Sequence, residues 1–164
     1  MSPRTIIVAL AAALLATTGC GYGTNEHFRT DIESIHVEMF ASKEFRRDLE
    51  FMLTEAVKKR IAIDTPYRLV SKEKADTILK GEILEERQAA FAPDFRSRLP
   101  RDKQLTLAVQ VEWKDLRSGE ILLDRPVLQS VDYLPPAGES EKFAQQRVID
   151  KLAMRIIAGM YDDW

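Results

Sequence analysis

The chain has one cysteine, Cys20, among 164 residues, so an intrachain disulfide is excluded. An odd thiol in an exported protein pairs between chains, stays free or is modified. Only two histidines occur, His27 and His36, and no cluster has zinc-ligand spacing. There is no glycine-rich phosphate loop, no internal repeat and no low-complexity tract. The net charge of -2 leaves no broad basic field, so no nucleic-acid partner is expected. Carboxylates are adjacent at Glu85-Glu86 and Asp162-Asp163. Neighbours along a strand point to opposite faces, and the second pair sits at the C-terminus, so neither makes a dyad. No nucleophile stands beside a base, which predicts a protein that is not an enzyme and needs no cofactor.

One long hydrophobic run is present, at the N-terminus. Arg4 precedes residues 6–16 (IIVALAAALLA), an apolar stretch of signal-peptide length that is too short to cross a bilayer comfortably. Thr17-Thr18-Gly19-Cys20 follows, and it resembles a bacterial lipobox with Thr17 where Leu is usual. The resemblance implies a signal peptide over residues 1–19, a covalent lipid on Cys20 and a membrane partner reached through that anchor. Each buried acyl methylene contributes about 0.8 kcal/mol, so a multiply acylated cysteine holds stably to a membrane. The alternative is an ordinary signal peptide cleaved near Ala16, with Cys20 an incidental thiol. Gly21 follows the cysteine where inner-membrane retention resembles a rule that needs Asp, so the periplasmic face of the outer membrane is expected. Residues 20–30 then read as the lipidated cysteine and a flexible tether.

The remaining residues, 31–164, read as a single domain. Ile35, Val37 and Met39 alternate with polar residues in a strand. Ser42 is placed to cap a helix whose apolar stripe is Phe45, Leu49, Met52, Leu53, Ala56, Val57 and Ile61, ended by Asp64-Thr65-Pro66. Thr77, Leu79, Gly81 and Ile83 form a second strand, and Gly81 predicts a bulge or a close packing contact. Leu105, Leu107, Val109, Val111 and Trp113 mark the cleanest strand. Residues 121–133 return beside it, with Pro126 requiring an edge or a bulge. Ala144, Val148, Leu152, Ile156 and Met160 define a second long helix. The predicted class is α+β, with two helices on one face of a mixed four-stranded sheet.

Several segments together are similar to the LPS-assembly lipoprotein family, LptE. They are Cys20-Gly21-Tyr22, the strand at 35–40 leading into Leu49-Glu50-Phe51-Met52-Leu53-Thr54-Glu55-Ala56, Leu69-Val70, Ala75-Asp76-x-Ile78-Leu79-x-Gly81-x-Ile83, a strand hairpin, and Leu152-Ala153-x-x-Ile156-Ile157. The resemblance implies an outer-membrane protein that plugs and helps assemble a β-barrel of the LptD type, and that assists lipopolysaccharide insertion into the outer leaflet. The Ala75-Asp76 segment also resembles curli-secretion and penicillin-binding-protein-activator lipoproteins. Those relatives imply a regulatory or pore-assembly component instead.

Residues 92–103 read as a loop, punctuated by Pro93 and Pro100. Arg96, Arg98, Arg101 and Lys103 are interleaved there with aromatic and apolar residues. Guanidinium forks suit phosphate oxygens, and apolar groups suit acyl chains, so these four are the candidate lipopolysaccharide ligands. The plainer alternative is a solvated loop whose aromatics tuck into the core.

Overall fold

The computed structural model describes residues 28–43, 47–93 and 100–161. The strands are β1 (Ser34–Val37), β2 (Ala41–Ser42), β3 (Arg68–Leu69), β4 (Thr77–Pro93), β5 (Pro100–Asp115) and β6 (Ile121–Tyr133). The helices are α1 (Arg47–Asp64) and α2 (Glu141–Ala158). The sheet order is β3-β1-β4-β5-β6, with β2 beside β4 further along. Pairings of β1 with β3 and β4, and of β2 with β4, are parallel, whereas β4, β5 and β6 run antiparallel. The expected α+β class and mixed sheet are present. The sheet is wider than four strands because the short extended stretch after α1 pairs as β3, and β2, also two residues, finds a place beside β4.

Both helices lie on one face, and their stripes meet the inward strand residues. Leu53, Val57, Ile61, Leu152, Ala153 and Ile156 are fully buried, as are Ile35, Leu79, Val109 and Val111. This single cluster supplies the main driving force, at roughly 1.5–3 kcal/mol per large buried side chain. The opposite face carries the polar alternates, including Lys80 beside Glu112 and Gln104 beside Asp132.

Local chemistry explains the element ends. Thr65 accepts the N–H of Tyr67 on its hydroxyl, which itself donates to the Ile61 carbonyl at 2.7 Å and closes α1. Ser140 caps α2 by accepting the Phe143 N–H at 3.2 Å. Ser42 lies in β2 and pairs with Ile83 of β4; the first-turn residues it was expected to cap, 44–46, lie outside the described residues. Phe45, assigned to the first helical stripe, lies outside the described residues.

Gly81 is a close-packing position, and its contact is an aromatic ring rather than a helix. A Cβ there would stand 2.5 Å from the Phe40 ring and 2.7 Å from the Gln110 carbonyl. The irregularity in β4 falls three residues on, where the register with β5 shifts between Ile83 and Glu85. That bulge reverses which alternate residues face the helices. Before it Leu79 and Ile83 face inward; after it Glu86 does, accepting a hydrogen bond from Gln145 of α2 at 3.0 Å. Glu85 and Glu86 therefore point to opposite faces, as expected from a strand.

Candidate functional site

The hairpin of β4 and β5 is the longest feature of the fold and outruns everything around it. β6 ends at Tyr133, opposite Lys103, so among the described residues the last pairs of the hairpin, Phe91 with Asp102 and Pro93 with Pro100, extend as two strands alone. The reading of residues 92–103 as a loop is corrected here. Ala92 and Pro93 belong to β4, and Arg101 and Lys103 belong to β5. The prolines are tolerated because they stand at the outer end of a two-stranded ribbon.

Of the four candidate ligands, Lys103 is half-buried at the base of this ribbon, between Ala90 and Tyr133 in the register. Arg101 lies two residues further out on the same strand. Arg96 and Arg98 lie outside the described residues, as does Cys20. The base of the ribbon is polar where the core ends. The Tyr133 hydroxyl donates to Gln88 at 3.4 Å. Burial pushes the Tyr133 pKa up, and the nearby carboxylates of Glu141 and Glu86 add to it.

The opposite end of the sheet holds the start of the described chain. The Phe28 ring meets Tyr67 edge-on at 5.7 Å and Tyr161 at 4.7 Å, and Tyr67 in turn lies 5.9 Å from Trp113. Trp113 pairs with Leu79 near the beginning of β4. From Trp113 to Pro100 the strand runs thirteen residue steps, or about 44 Å at roughly 3.4 Å per step. Phe28 and the pair Pro93 and Pro100 are therefore at opposite ends of the described body.

A polar staple fixes the Phe28 end. Asp76 accepts the N–H groups of Glu33 and Ser34, at 3.2 and 3.0 Å, and the Ser34 hydroxyl at 2.8 Å. These bonds, the Ser34 hydroxyl first, hold the Asp76 carboxyl below the ordinary aspartate range. Asp115 is lowered likewise, chiefly by the Arg117 guanidinium, which also donates to the Asp31 carbonyl at 3.0 Å. Sequence reasoning did not assign Asp76 a role, although its motif was visible; the partner is 42 residues away.

Other candidate chemistry is structural. His36 donates from Nδ1 to the Val70 carbonyl at 3.0 Å, tying β1 to the chain beyond β3. A groove of about 430 Å³ on the open face is lined by Glu38, Glu82, Glu112 and Asp124. Lys72, Lys43 and Lys80 pair with the first three, and Gln110 bonds Asp124, so its acids are already satisfied. Among the described residues no group of three His, Cys, Asp or Glu side chains could hold a metal ion.

Comparison with known proteins agrees with this shape. Protein CT253 from Chlamydia trachomatis superposes with a TM-score of 0.57 at 11% identity, covering 77% of this chain and 94% of its own. Lipoprotein B from Nitrosomonas europaea gives 0.53 at 13% identity, covering 84% and 88%. A lipoprotein from Caulobacter crescentus CB15 gives 0.53 at 17% identity, covering 76% and 86%. At such identities the likeness establishes the fold alone. No curated protein sequence matches the chain. The family model LptE, lipopolysaccharide-assembly, matches residues 32–162, the whole of the α+β body from just before β1 to just past α2. The chain belongs to the LptE family of lipopolysaccharide-assembly proteins.

Proposed function

We propose that this chain is a non-enzymatic lipoprotein of the outer membrane, held to its periplasmic face by lipid on Cys20. In this reading residues 1–19 are removed, residues 20–30 form the tether, and residues 31–164 are the working domain. That domain occupies and helps assemble a β-barrel of the LptD type and assists lipopolysaccharide insertion into the outer leaflet. Membership of a lipopolysaccharide-assembly family supports the general role.

The single observation that carries the finer reading is the elongation of the fold. Phe28 lies eight residue steps beyond Cys20, a span of at most about 29 Å. A lipid there tethers the Phe28 end, while the hairpin reaches about 44 Å the other way, into whatever the domain enters. Arg96, Arg98, Arg101 and Lys103 are carried by the far half of that hairpin or the segment joining its strands. Guanidinium and ammonium groups at that position would meet lipid A phosphates away from the anchoring leaflet. Co-expression of the lipidated chain with the LptD-type barrel of the same organism tests the reading. A stable complex is expected; two proteins that separate in mild detergent would refute it.

A further inference from the structure

Most arginines of this fold are paired. Arg29, Arg60, Arg68, Arg87, Arg117 and Arg147 each lie within 3.8 Å of a carboxylate. Of the arginines whose side chains are described, Arg125 and Arg155 have no carboxylate partner among the described residues. These two line one groove of about 320 Å³, completed by Pro126, Val127, Leu128 and Ala158. Among the described residues no acid lines it.

The register brings the two cations together. Arg125 pairs with Val111, which is buried, so it projects from the helix-bearing face of the sheet. It does so on the outermost strand, and its guanidinium lies against Gly159 at the end of α2. A Cβ on Gly159 would collide with Arg125 Nη2. Gly159 has an ordinary helical backbone, φ -78° and ψ -8°, so its missing side chain supplies room for the guanidinium rather than a special turn. Arg155 reaches the same edge from α2 and donates Nη1 to the Leu128 carbonyl at 2.6 Å, which uses one of its several guanidinium donors. Two guanidiniums in one groove repel each other. The negative end of the α2 dipole offsets part of that cost, and a bound anion would offset more.

We infer that Arg125 and Arg155 bind the phosphate of a phospholipid headgroup in the leaflet that holds Cys20. The inference rests on the lipid-anchor reading and adds a headgroup contact beside the acyl chains. The groove's place in the fold argues for this anion. Gly159 comes two residues before Tyr161, whose ring meets Phe28 at 4.7 Å, and Phe28 lies eight residue steps beyond Cys20. Val111, opposite Arg125, stands eleven steps from Pro100, or about 37 Å at roughly 3.4 Å per step. The groove is therefore at the tethered end. A domain that enters a barrel hairpin first keeps that end on the side of the anchoring leaflet, where headgroup phosphates form the surface. Guanidinium forks match phosphate oxygens, and Pro126, Leu128 and Ala158 offer an apolar flank to the glycerol and the first acyl carbons.

The test uses the Cys20→Ala chain from the periplasm, so that no acyl anchor contributes, and reads the Nε–Hε NMR signals of Arg125 and Arg155. Dihexanoylphosphatidylglycerol, kept below its micelle concentration, should shift both signals saturably and bind at least about tenfold more tightly than inorganic phosphate. Equal affinities would mean a site for free phosphate and overturn the lipid assignment. Signals that neither probe shifts, as when the chain's own Asp162 and Asp163 fill the groove, overturn the site itself. Arg125→Gln should weaken the phospholipid by at least about tenfold at unchanged Tm. Gly159→Ala keeps both charges, displaces only the Arg125 guanidinium, and should weaken binding without lowering Tm. Full affinity in both variants overturns the inference. If Arg125→Gln loses Tm, Gly159→Ala decides. A Cys20→Ala chain that stays in the outer membrane sinks the anchor reading instead; the same titration on the chain extracted in a maltoside detergent still decides whether the groove binds phospholipid.

Discussion

Asp76 and Ser34 bond to each other reciprocally. The Ser34 hydroxyl donates to the Asp76 carboxylate at 2.8 Å and accepts the Asp76 N–H at 3.0 Å. The same carboxylate takes the N–H groups of Glu33 and Ser34. The residue before β4 thereby sets where β1 begins.

Asp76→Ala should therefore destabilise the domain by about 1–3 kcal/mol, the range for leaving part-buried donors without an acceptor. Urea denaturation measures it. The pH dependence has a definite sign. The folded pKa of Asp76 is depressed, so its contribution is present above the unfolded value and is lost as pH falls through the folded one. Wild-type stability should decline below about pH 4, and Asp76→Asn, which keeps the lowered Asp115 and Glu73 but loses the titration of Asp76, should show a shallower acid limb. Identical Tm-against-pH profiles would contradict the assignment.

Gly81→Ala should cost about 1–3 kcal/mol, because the added Cβ meets both the Phe40 ring and the Gln110 backbone oxygen. The ring can shift; the carbonyl is held in the ladder. Gly81→Val should cost more. An unchanged denaturation midpoint for the alanine variant would show that the strand gives way there.

Thr54 joins α1 to the segment between β1 and β2. Its hydroxyl accepts the Phe40 N–H at 3.0 Å and donates to the Glu50 carbonyl at 2.7 Å. Thr54→Val keeps the shape and strands a buried N–H, which predicts a loss of about 1–3 kcal/mol, recovered by Thr54→Ser. Equal stability of the valine and serine variants would refute it.

Cys20→Ala should release the protein from the membrane fraction into the soluble periplasm, since the acyl chains on Cys20 supply the attachment in this reading. Unchanged outer-membrane fractionation would rule the lipid out as the attachment.

Arg96→Glu, Arg98→Glu and Arg101→Glu together should weaken lipopolysaccharide binding by at least about tenfold, given roughly 1.5–3 kcal/mol for a charge-assisted hydrogen bond. The folded domain should be unaffected, as read by its Tm. Unaltered affinity in a pull-down would remove this stretch from the mechanism.

Much of the fold was legible residue by residue. Leu105, Leu107, Val109, Val111 and Trp113 alternate without a break, and all five are buried. The stripes of α1 and α2 recur at three- and four-residue steps, and their described residues, from Leu49 on in α1, pack against the core. Pro126 was read as requiring an edge or a bulge, and β6 is an edge strand. The outer half of β4 was not legible. The bulge after Ile83 reverses its alternation, so residues 86–93 no longer continue the pattern of Leu79 and Ile83, and Pro93 and Pro100 read as loop punctuation.

The amino-acid order alone determined what each stretch can become, because helix and strand periods, capping residues, the apolar run before Cys20 and the motif around Asp76 are short-range properties. Only the tertiary structure decided that side chains of α2 cover the outer edge of β6, and that Phe28 and the pair Pro93 and Pro100 lie at opposite ends. Those outcomes depend on the register of β4 against β5 and on arginines of α2 reaching backbone carbonyls 15 to 27 residues away. Contacts of that kind leave no periodic trace in sequence; they exist only once the strands have paired.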